Sequence, residues 1–176
     1  RFAMVLGANA SGKSTLLSAF NFIKFFIKDL KKDNSQKTGV IPFAFDDSIT
    51  SQPSVFDLEY FLDDVMYDYH LELTSHEVIA EALSYYPNNR KVMLFERRKD
   101  NNGMTLSFNS SLNLQDVQKQ NLAVRCLNNT SLFSAKQTLN LPMPLVDSAM
   151  VALSKDIMQE IKPQSDLFAY ATNFLH

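Results

Sequence analysis

Near its beginning the sequence contains glycines, a lysine and hydroxyl residues at a spacing that could bind phosphate. The stretch VLGANASGKSTLL, residues 5–17, follows the pattern G-x-x-x-x-G-K-S. Gly7 and Gly12 permit backbone angles that a Cβ would hinder, so the chain can wrap closely around a phosphate group. Backbone amides then point inward at the start of a helix, whose dipole favours an anion. The pattern therefore predicts a phosphate-binding loop.

Each polar residue of this loop has a predicted role toward a nucleoside triphosphate. Lys13 reaches the β- and γ-phosphates and is the candidate catalytic residue. Ser14 offers its hydroxyl to Mg²⁺, and Thr15 is placed to donate to an α-phosphate. ATP and Mg²⁺ are therefore the predicted cofactors. The full set of predicted phosphate-binding residues is Gly7, Asn9, Ala10, Ser11, Gly12, Lys13, Ser14 and Thr15.

The segments around the loop have the order that such a site requires. Residues 1–6, RFAMVL, form an apolar run that is typical of a buried parallel strand. Behind the loop, Leu16, Phe20 and Ile23 recur at helical spacing, and this periodicity predicts a helix over residues 13–32. A strand, a loop and a helix in this order disfavour the alternative of a chance match in a surface turn.

Lysines gather toward the end of the predicted helix. Cations suit the negative end of a helix dipole and a solvated face, which is the favoured interpretation. A patch that contacts the DNA backbone is the alternative. The lysines concerned are Lys24, Lys28, Lys31 and Lys32.

The sequence then changes from helical to alternating periodicity. Residues 31–39 are polar and without periodicity, so they are predicted to be a mobile loop with no core role, whose shortening should change the melting temperature little. Residues 54–64 and 65–75 alternate between polar and apolar, and Asp63–Asp64 predicts a hairpin turn between them. Further turn signals extend this pattern, which predicts an antiparallel β-meander.

From residue 112 onward the patterns are helical. The stretch NNTSLFSAKQTL offers Asn or Thr as an N-cap. A longer amphipathic segment follows, with Pro144 in its first turn. After Pro163 another helix is predicted to start at Ser165 or Asp166.

Composition limits the classes of protein that fit. The chain has 176 residues, 20% charged residues, a net charge of −2 and a pI of about 5.9, so charge gives no support for nucleic acid as a partner. A single cysteine, Cys126, excludes an internal disulfide and a thiolate metal cluster, and is predicted to be a small buried hydrophobe.

No apolar stretch is long enough to span a bilayer, and a cytoplasmic location is expected. Because the first residues already read as a core strand, we expect the chain to begin inside a longer polypeptide or to lack earlier residues.

Acidic residues provide candidates for a metal site or for a Walker B carboxylate. The alternation around the first set favours a solvated hairpin, because a Walker B strand is a continuous apolar run. Asp147, at the end of MPLVD, is a second candidate, but the prolines beside it argue against a central strand. The first set comprises Asp57, Glu59, Asp63 and Asp64.

Basic and imidazole side chains give weaker signals. LFERR ends a strand with Glu96, Arg97 and Arg98; an arginine there is predicted to form a surface ion pair, and contact with a phosphate or a partner is the alternative. The three histidines show no metal-ligand spacing with one another or with Cys126.

The loop GANASGKST resembles the Walker A motif of the ABC-type ATPases that include SMC, RecF and OLD-like proteins. Asn9 stands where these proteins carry Asn, and Ala10 stands where many of them carry Gly. The blocks GANASGKSTLLSAFNFIKFF, PSVFDLEYFLDD, LFERR and NNTSLFSAK are similar to a bacterial family of AAA/ABC-like ATP-binding proteins. The resemblance implies an α/β fold, a P-loop NTPase core with an antiparallel β-layer and then a helical lobe. The corresponding divisions are residues 1–32, 40–108 and 112–176.

The resemblance also implies a function. The signature motif, the Walker B strand and the switch His of ABC-type ATPases are not recognisable, so we expect an N-terminal lobe that hydrolyses ATP only within a full-length homodimer. Members of the family often serve phage-defence or toxin-like systems, beside a nuclease or effector. Two alternatives stay open. One is a P-loop small-molecule kinase, against which the long β-meander argues; the other is a nucleotide-sensing or DNA-binding scaffold that does not hydrolyse ATP.

Overall fold

A five-stranded antiparallel sheet forms the centre of the fold in the computed structural model, which describes residues 12–41 and 52–155. The strands lie side by side in chain order, so the predicted meander is confirmed. The strands are β1 (Ser54–Leu62), β2 (Val65–Leu73), β3 (Val78–Tyr85), β4 (Val92–Asp100) and β5 (Gly103–Phe108). The helices are α1 (Lys13–Phe26), α2 (Asp116–Arg125), α3 (Leu132–Gln137) and α4 (Pro144–Lys155), with 3-10 turns at Pro87–Asn89 and Ser110–Leu112.

Several sequence predictions fall outside the described residues. Among them are the strand over residues 1–6 and the helix expected after Pro163. Among the described residues, no helix is long and apolar enough to cross a lipid bilayer.

The turn between β1 and β2 is the predicted Asp63–Asp64 hairpin. Asp63 has a φ of 48° and Asp64 a φ of 63°. A two-residue turn of type I′ requires positive φ at both central positions, and Asp tolerates this region better than most residues do. This turn fixes the register in which β1 pairs with β2.

One face of the sheet is covered by the helices and holds the core. The register aligns one apolar row across all strands, and its three central residues are fully buried. Phe133 of α3 lies over this row, with its ring centroid 5.3 Å from that of Tyr69 and 5.7 Å from that of Phe95. Burial of each large side chain contributes about 1.5–3 kcal/mol. The row consists of Leu58, Tyr69, Leu83, Phe95 and Phe108.

Helix α1 is shorter than predicted. It ends at Phe26 rather than near Lys32, and Ile27 is its C-cap. Phe26 and Ile27 are 2% and 0% exposed, and the amide of Asp29 already bonds back to the carbonyl of Phe26 in a tight turn. The chain leaves the helix there because the core holds this end. Lys24 lies in the last turn of α1, so the favoured interpretation is confirmed for this residue, whereas Lys28 and the lysines after it lie beyond the helix.

The polar stretch over residues 31–39 contributes to the packed structure. Thr38 is 2% exposed, and its hydroxyl donates to the carbonyl of Thr74 at 2.7 Å. The side-chain amide of Asn129 donates to the carbonyls of Asp33 at 2.9 Å and Gln36 at 2.7 Å. The prediction that this stretch has no core role is therefore wrong, because its carbonyls and Thr38 bind residues far along the chain.

The caps of the later helices agree with the sequence in part. Pro144 is the first residue of α4, as predicted. The N-cap of α3 is Ser131, whose hydroxyl accepts from the amide of Ser134 at 3.0 Å, so the choice of Asn or Thr is wrong. The asparagine before it, Asn129, is turned toward residues 33–36 instead.

Replacement of Asn129 tests whether the stretch over residues 31–39 stabilises the fold. Asn129→Ala removes two hydrogen bonds from a fully buried side chain, so we expect a loss of about 1–3 kcal/mol in the free energy of unfolding. Urea denaturation measures this loss. Asn128→Ala, at the exposed neighbouring position, is the matched control and should change little. Equal stability of both variants and the parent would contradict the docking of this stretch.

Candidate functional site

The N-terminus of α1 presents backbone donors without acceptors in the helix. Gly12 precedes the helix with a φ of 85°, a left-handed conformation that favours glycine. The amide of Leu16 bonds to the carbonyl of Gly12 at 3.0 Å and closes the first turn. The amides of Ser14 and Thr15, in this first turn, have no acceptor within the helix. A phosphate oxygen placed before the helix could accept from them.

Side chains at this end of the helix suit an anion and a divalent cation. Ser14 and Thr15 are exposed, and Lys13 is half-buried. The first turn contains no acidic residue, so no carboxylate on it would repel a phosphate. A serine hydroxyl is a hard oxygen ligand of the kind that Mg²⁺ accepts. The remaining predicted loop residues, Gly7, Asn9, Ala10 and Ser11, lie outside the described residues.

The acidic residues of the first hairpin are solvated, as predicted. The side chain of Asp57 is 67% exposed, and one of its oxygens lies 2.6 Å from Nδ1 of His70 on the neighbouring strand. Asp63 and Asp64 form the turn itself. Within residues 12–41 and 52–155, no three acidic, histidine or cysteine side chains are grouped so that they could hold a metal ion.

Asp147 serves the first turn of α4 and is not at the end of a strand. One of its oxygens accepts from the amide of Met143 at 3.0 Å, and the other pairs with the ammonium of Lys136. An acidic side chain here compensates the amides at the start of the helix. The argument against Asp147 as a Walker B residue is confirmed for this reason.

The surface ion pair predicted for an arginine of LFERR is confirmed for Arg98, whereas Arg97 is buried. Arg97 and Glu81 lie opposite each other on β4 and β3, and their side chains are 1% and 0% exposed. The distance from Nη1 of Arg97 to Oε2 of Glu81 is 3.7 Å. The guanidinium donates to the carbonyls of Thr130 at 2.6 Å and Leu127 at 2.7 Å. A surface pair exists next to it, between Arg98 and Glu96.

Glu81 is a residue that the sequence analysis missed. Its carboxylate accepts from the hydroxyl of Tyr69 at 3.0 Å and from the amide of Leu132 at 2.8 Å. Burial raises the pKa of Glu81, while the charge of Arg97 and these donors oppose the rise. The sequence did contain a signal for the burial of Glu81. Glu81 is two residues before the buried Leu83 in β3, and side chains two positions apart lie on the same face of a strand, here the covered face.

Cys126 lies beside this pair. The guanidinium of Arg97 is 3.1 Å from its sulfur. Burial raises the pKa of the Cys126 thiol to about 12, so at neutral pH it stays protonated. The residue is half-buried, so the prediction of a small buried hydrophobe is confirmed only in part.

Comparison with known proteins gives one match. A family model described as "AAA domain, putative AbiEii toxin, Type IV TA system" matches residues 2–138. The matched range includes the phosphate-binding pattern, the whole sheet and α3. No curated protein and no solved structure matches the chain.

Substitution of two neighbouring arginines tests the buried ion pair between Arg97 and Glu81. Arg97→Met leaves the carboxylate of Glu81 buried without its cation, so we expect a loss of about 3–5 kcal/mol in the free energy of unfolding. Arg98→Met, at an exposed position in the same strand, should change it by about 0.5 kcal/mol or less. Chemical denaturation of both variants gives the comparison. Similar effects at the two positions would show that Arg97 is not buried with Glu81.

Proposed function

This chain belongs to the AAA-domain family of putative AbiEii toxins, which are P-loop ATPases, and on this premise we propose that it binds ATP with Mg²⁺ through residues 7–15. The observation that carries the proposal is the start of α1, where the left-handed Gly12 precedes a helix whose first residues, Lys13, Ser14 and Thr15, are half-buried or exposed. The nucleotide site of a P-loop protein needs this arrangement, because the phosphates are bound mainly by backbone donors at a helix N-terminus.

The proposal assigns a role to each residue at the start of α1. Lys13 provides a positive charge for the β- and γ-phosphates. Ser14 is the proposed ligand of Mg²⁺, and Thr15 donates to an α-phosphate. When bound, Mg²⁺ neutralises charge on the phosphates and holds their geometry. Gly7 and Gly12 allow the backbone to approach, and Asn9, Ala10 and Ser11 complete the loop between them.

The wider architecture is proposed to be that of an ABC-like P-loop NTPase lobe. Residues 1–32 form the Walker A strand, loop and helix in this proposal. Residues 40–108 form an antiparallel β-layer and residues 112–176 a helical lobe. Support comes from the order of the described elements, in which α1 precedes the sheet and three helices follow it.

Hydrolysis is proposed to belong to a longer, homodimeric protein in which each nucleotide lies between two subunits. The sequence pattern identifies no residue that would orient the attacking water. A cytoplasmic phage-defence or toxin-like role, together with a nuclease or effector, is proposed from the description of the family as a putative toxin of a Type IV TA system.

Binding of Mg·ATP tests the assignment of Lys13. Lys13→Ala removes a charge-assisted contact, so we expect affinity to fall by about 1.5–3 kcal/mol, roughly tenfold or more. Ser14→Ala should reduce the difference between affinities measured with Mg²⁺ and with a chelator. Isothermal calorimetry on the intact protein gives both values. Ser18→Ala, an exposed serine on the same helix, is the control and should bind like the parent. Unchanged affinity in Lys13→Ala would remove the nucleotide site from this loop.

An assay of phosphate release tests whether the 176 residues hydrolyse ATP by themselves or only as part of the longer protein. The 176 residues alone should show essentially no turnover, because electrostatic positioning does not supply the group that orients water. The longer protein should hydrolyse ATP with a rate per subunit that rises with protein concentration. Robust turnover by the 176 residues, abolished by Lys13→Ala, would instead make one of the acidic residues catalytic. Transfer of phosphate to a small-molecule acceptor would favour the kinase alternative, and binding without turnover in the longer protein would favour the scaffold.

A further inference from the structure

We propose that Ser134 and Gln137 of α3 are positioning residues for the phosphate site at the opposite end of α1, an inference that rests on the proposed function. Neither residue is at the N-terminus of α1. Both bind the C-terminal end of that helix, and they act on the site through the helix itself.

The last carbonyls of α1 receive hydrogen bonds from α3. The hydroxyl of Ser134 donates to the carbonyl of Phe26 at 3.1 Å, and the side-chain amide of Gln137 donates to the carbonyl of Ile27 at 3.3 Å. Helix ends leave carbonyls without intrahelical donors, and Phe26 and Ile27 are 2% and 0% exposed, so they are largely shielded from water. The carbonyl of Phe26 also accepts from the amide of Asp29 at 3.2 Å, so Ser134 gives it a second donor, and Gln137 provides a donor to the carbonyl of Ile27.

The hydrogen-bond roles of Ser134 are determined by its neighbours. Its single hydroxyl proton is used toward Phe26, so its oxygen must accept in the contact of 2.9 Å with the hydroxyl of Ser131. The oxygen of Ser131 in turn accepts from the amide of Ser134 at 3.0 Å. Both serines are 0% exposed. Ser134 is therefore held in one orientation, with its donor directed at α1.

The position of α3 is fixed to the sheet by Glu81. The carboxylate of Glu81 accepts from the amide of Leu132, the first residue of α3, at 2.8 Å and 3.1 Å. The hydroxyl of Tyr69 and the charge of Arg97 hold the carboxylate from the sheet side. A continuous set of polar contacts thus runs from the sheet through α3 to the end of α1.

The hydrogen bonds from α3 add directional contacts to the apolar packing of α1. Ile23, Phe26 and Ile27 pack α1 against the core. The hydrogen bonds from Ser134 and Gln137 further restrict sliding of the helix along its axis and rotation about it. Helix α1 has 14 residues and a length of about 21 Å, so it transmits its position rigidly to the amides of Lys13, Ser14 and Thr15. Donors that are already in place bind a ligand more tightly than donors that must be ordered.

Two buried serines provide a matched experiment. Ser134→Ala removes the anchor, whereas Ser154→Ala removes a similar buried hydroxyl that donates to a helix carbonyl, that of Val151 at 3.1 Å in α4. We expect both variants to lose some stability. Only Ser134→Ala should weaken Mg·ATP binding, by between about twofold and thirtyfold, the range of coupling measured between connected residues. Gln137→Glu, which replaces the donor amide by a carboxylate of the same shape, should weaken binding as well.

Thermodynamic linkage between Mg·ATP binding and α3 provides a measurement that would not change if α3 had a purely structural role. If α3 positions the site, saturating Mg·ATP must stabilise α3 in return. Hydrogen exchange should therefore slow in residues 131–138 of the parent when Mg·ATP is added, and this change should be lost in Ser134→Ala. Residues 116–125, which form α2, are the internal reference and should show no such change.

The possible results separate this inference from the proposed function. If the parent binds Mg·ATP, Lys13→Ala binds weakly and Ser134→Ala binds as well as the parent, the positioning role is overturned while the proposed function stands. Equal weakening in Ser134→Ala and Ser154→Ala would also overturn it, because lost stability alone would then explain the effect. A parent protein that does not bind Mg·ATP would overturn the proposed function, and the inference with it.

Discussion

The buried ion pair between Glu81 and Arg97 is the interaction on which the rest of the described structure depends. Both side chains are removed from water, and the distance between their charged atoms is 3.7 Å. Removing two charges from water costs several kcal/mol for each, and attraction between them offsets this only if the remaining polar atoms are also bonded. The carbonyls and the amide that provide most of these bonds come from the segment over residues 127–132, whereas Nε of Arg97 is buried without a hydrogen-bond partner. This segment therefore has one place where it can lie on the sheet.

The same segment holds the other parts of the fold together. The carbonyl of Asn128 accepts from the amide of Val78 at 2.7 Å, next to the start of β3. Asn129 holds the chain that follows α1, and Ser131 begins α3. These contacts are directional, whereas the apolar core around Phe133 is not, so the polar contacts determine how the helices are placed over the sheet.

This arrangement has a consequence for nucleotide binding in an AAA-domain protein. Ser14 and Thr15 at the start of α1 are exposed, while the end of the same helix is buried and bonded to α3. One end is thus available to a ligand, and the other is fixed to the core. The family match over residues 2–138 includes both ends and the segment that connects them to the sheet. A helix held in this way suits a site whose affinity depends on donors placed before the phosphate arrives.

The sequence by itself determined the features that depend on near neighbours. The phosphate-binding pattern, the turn at Asp63–Asp64, the alternation of β1 and β2 and the start of α4 at Pro144 follow from spacings of a few residues, where local sterics and periodicity decide. Of the predicted site, the described part, from Gly12 to Thr15, lies at a helix N-terminus as the pattern required.

Only the tertiary structure decided which partners the buried polar residues bind and where α1 ends. Alternation along β4 places Arg97 on the same face as the buried Phe95, but its burial as a charge requires Glu81 and carbonyls from far along the chain. Leu132, whose amide completes the site of Glu81, is 51 positions away from it. Contacts over such separations leave no periodic signal, because the partner's position is set by the folded topology and not by the intervening sequence.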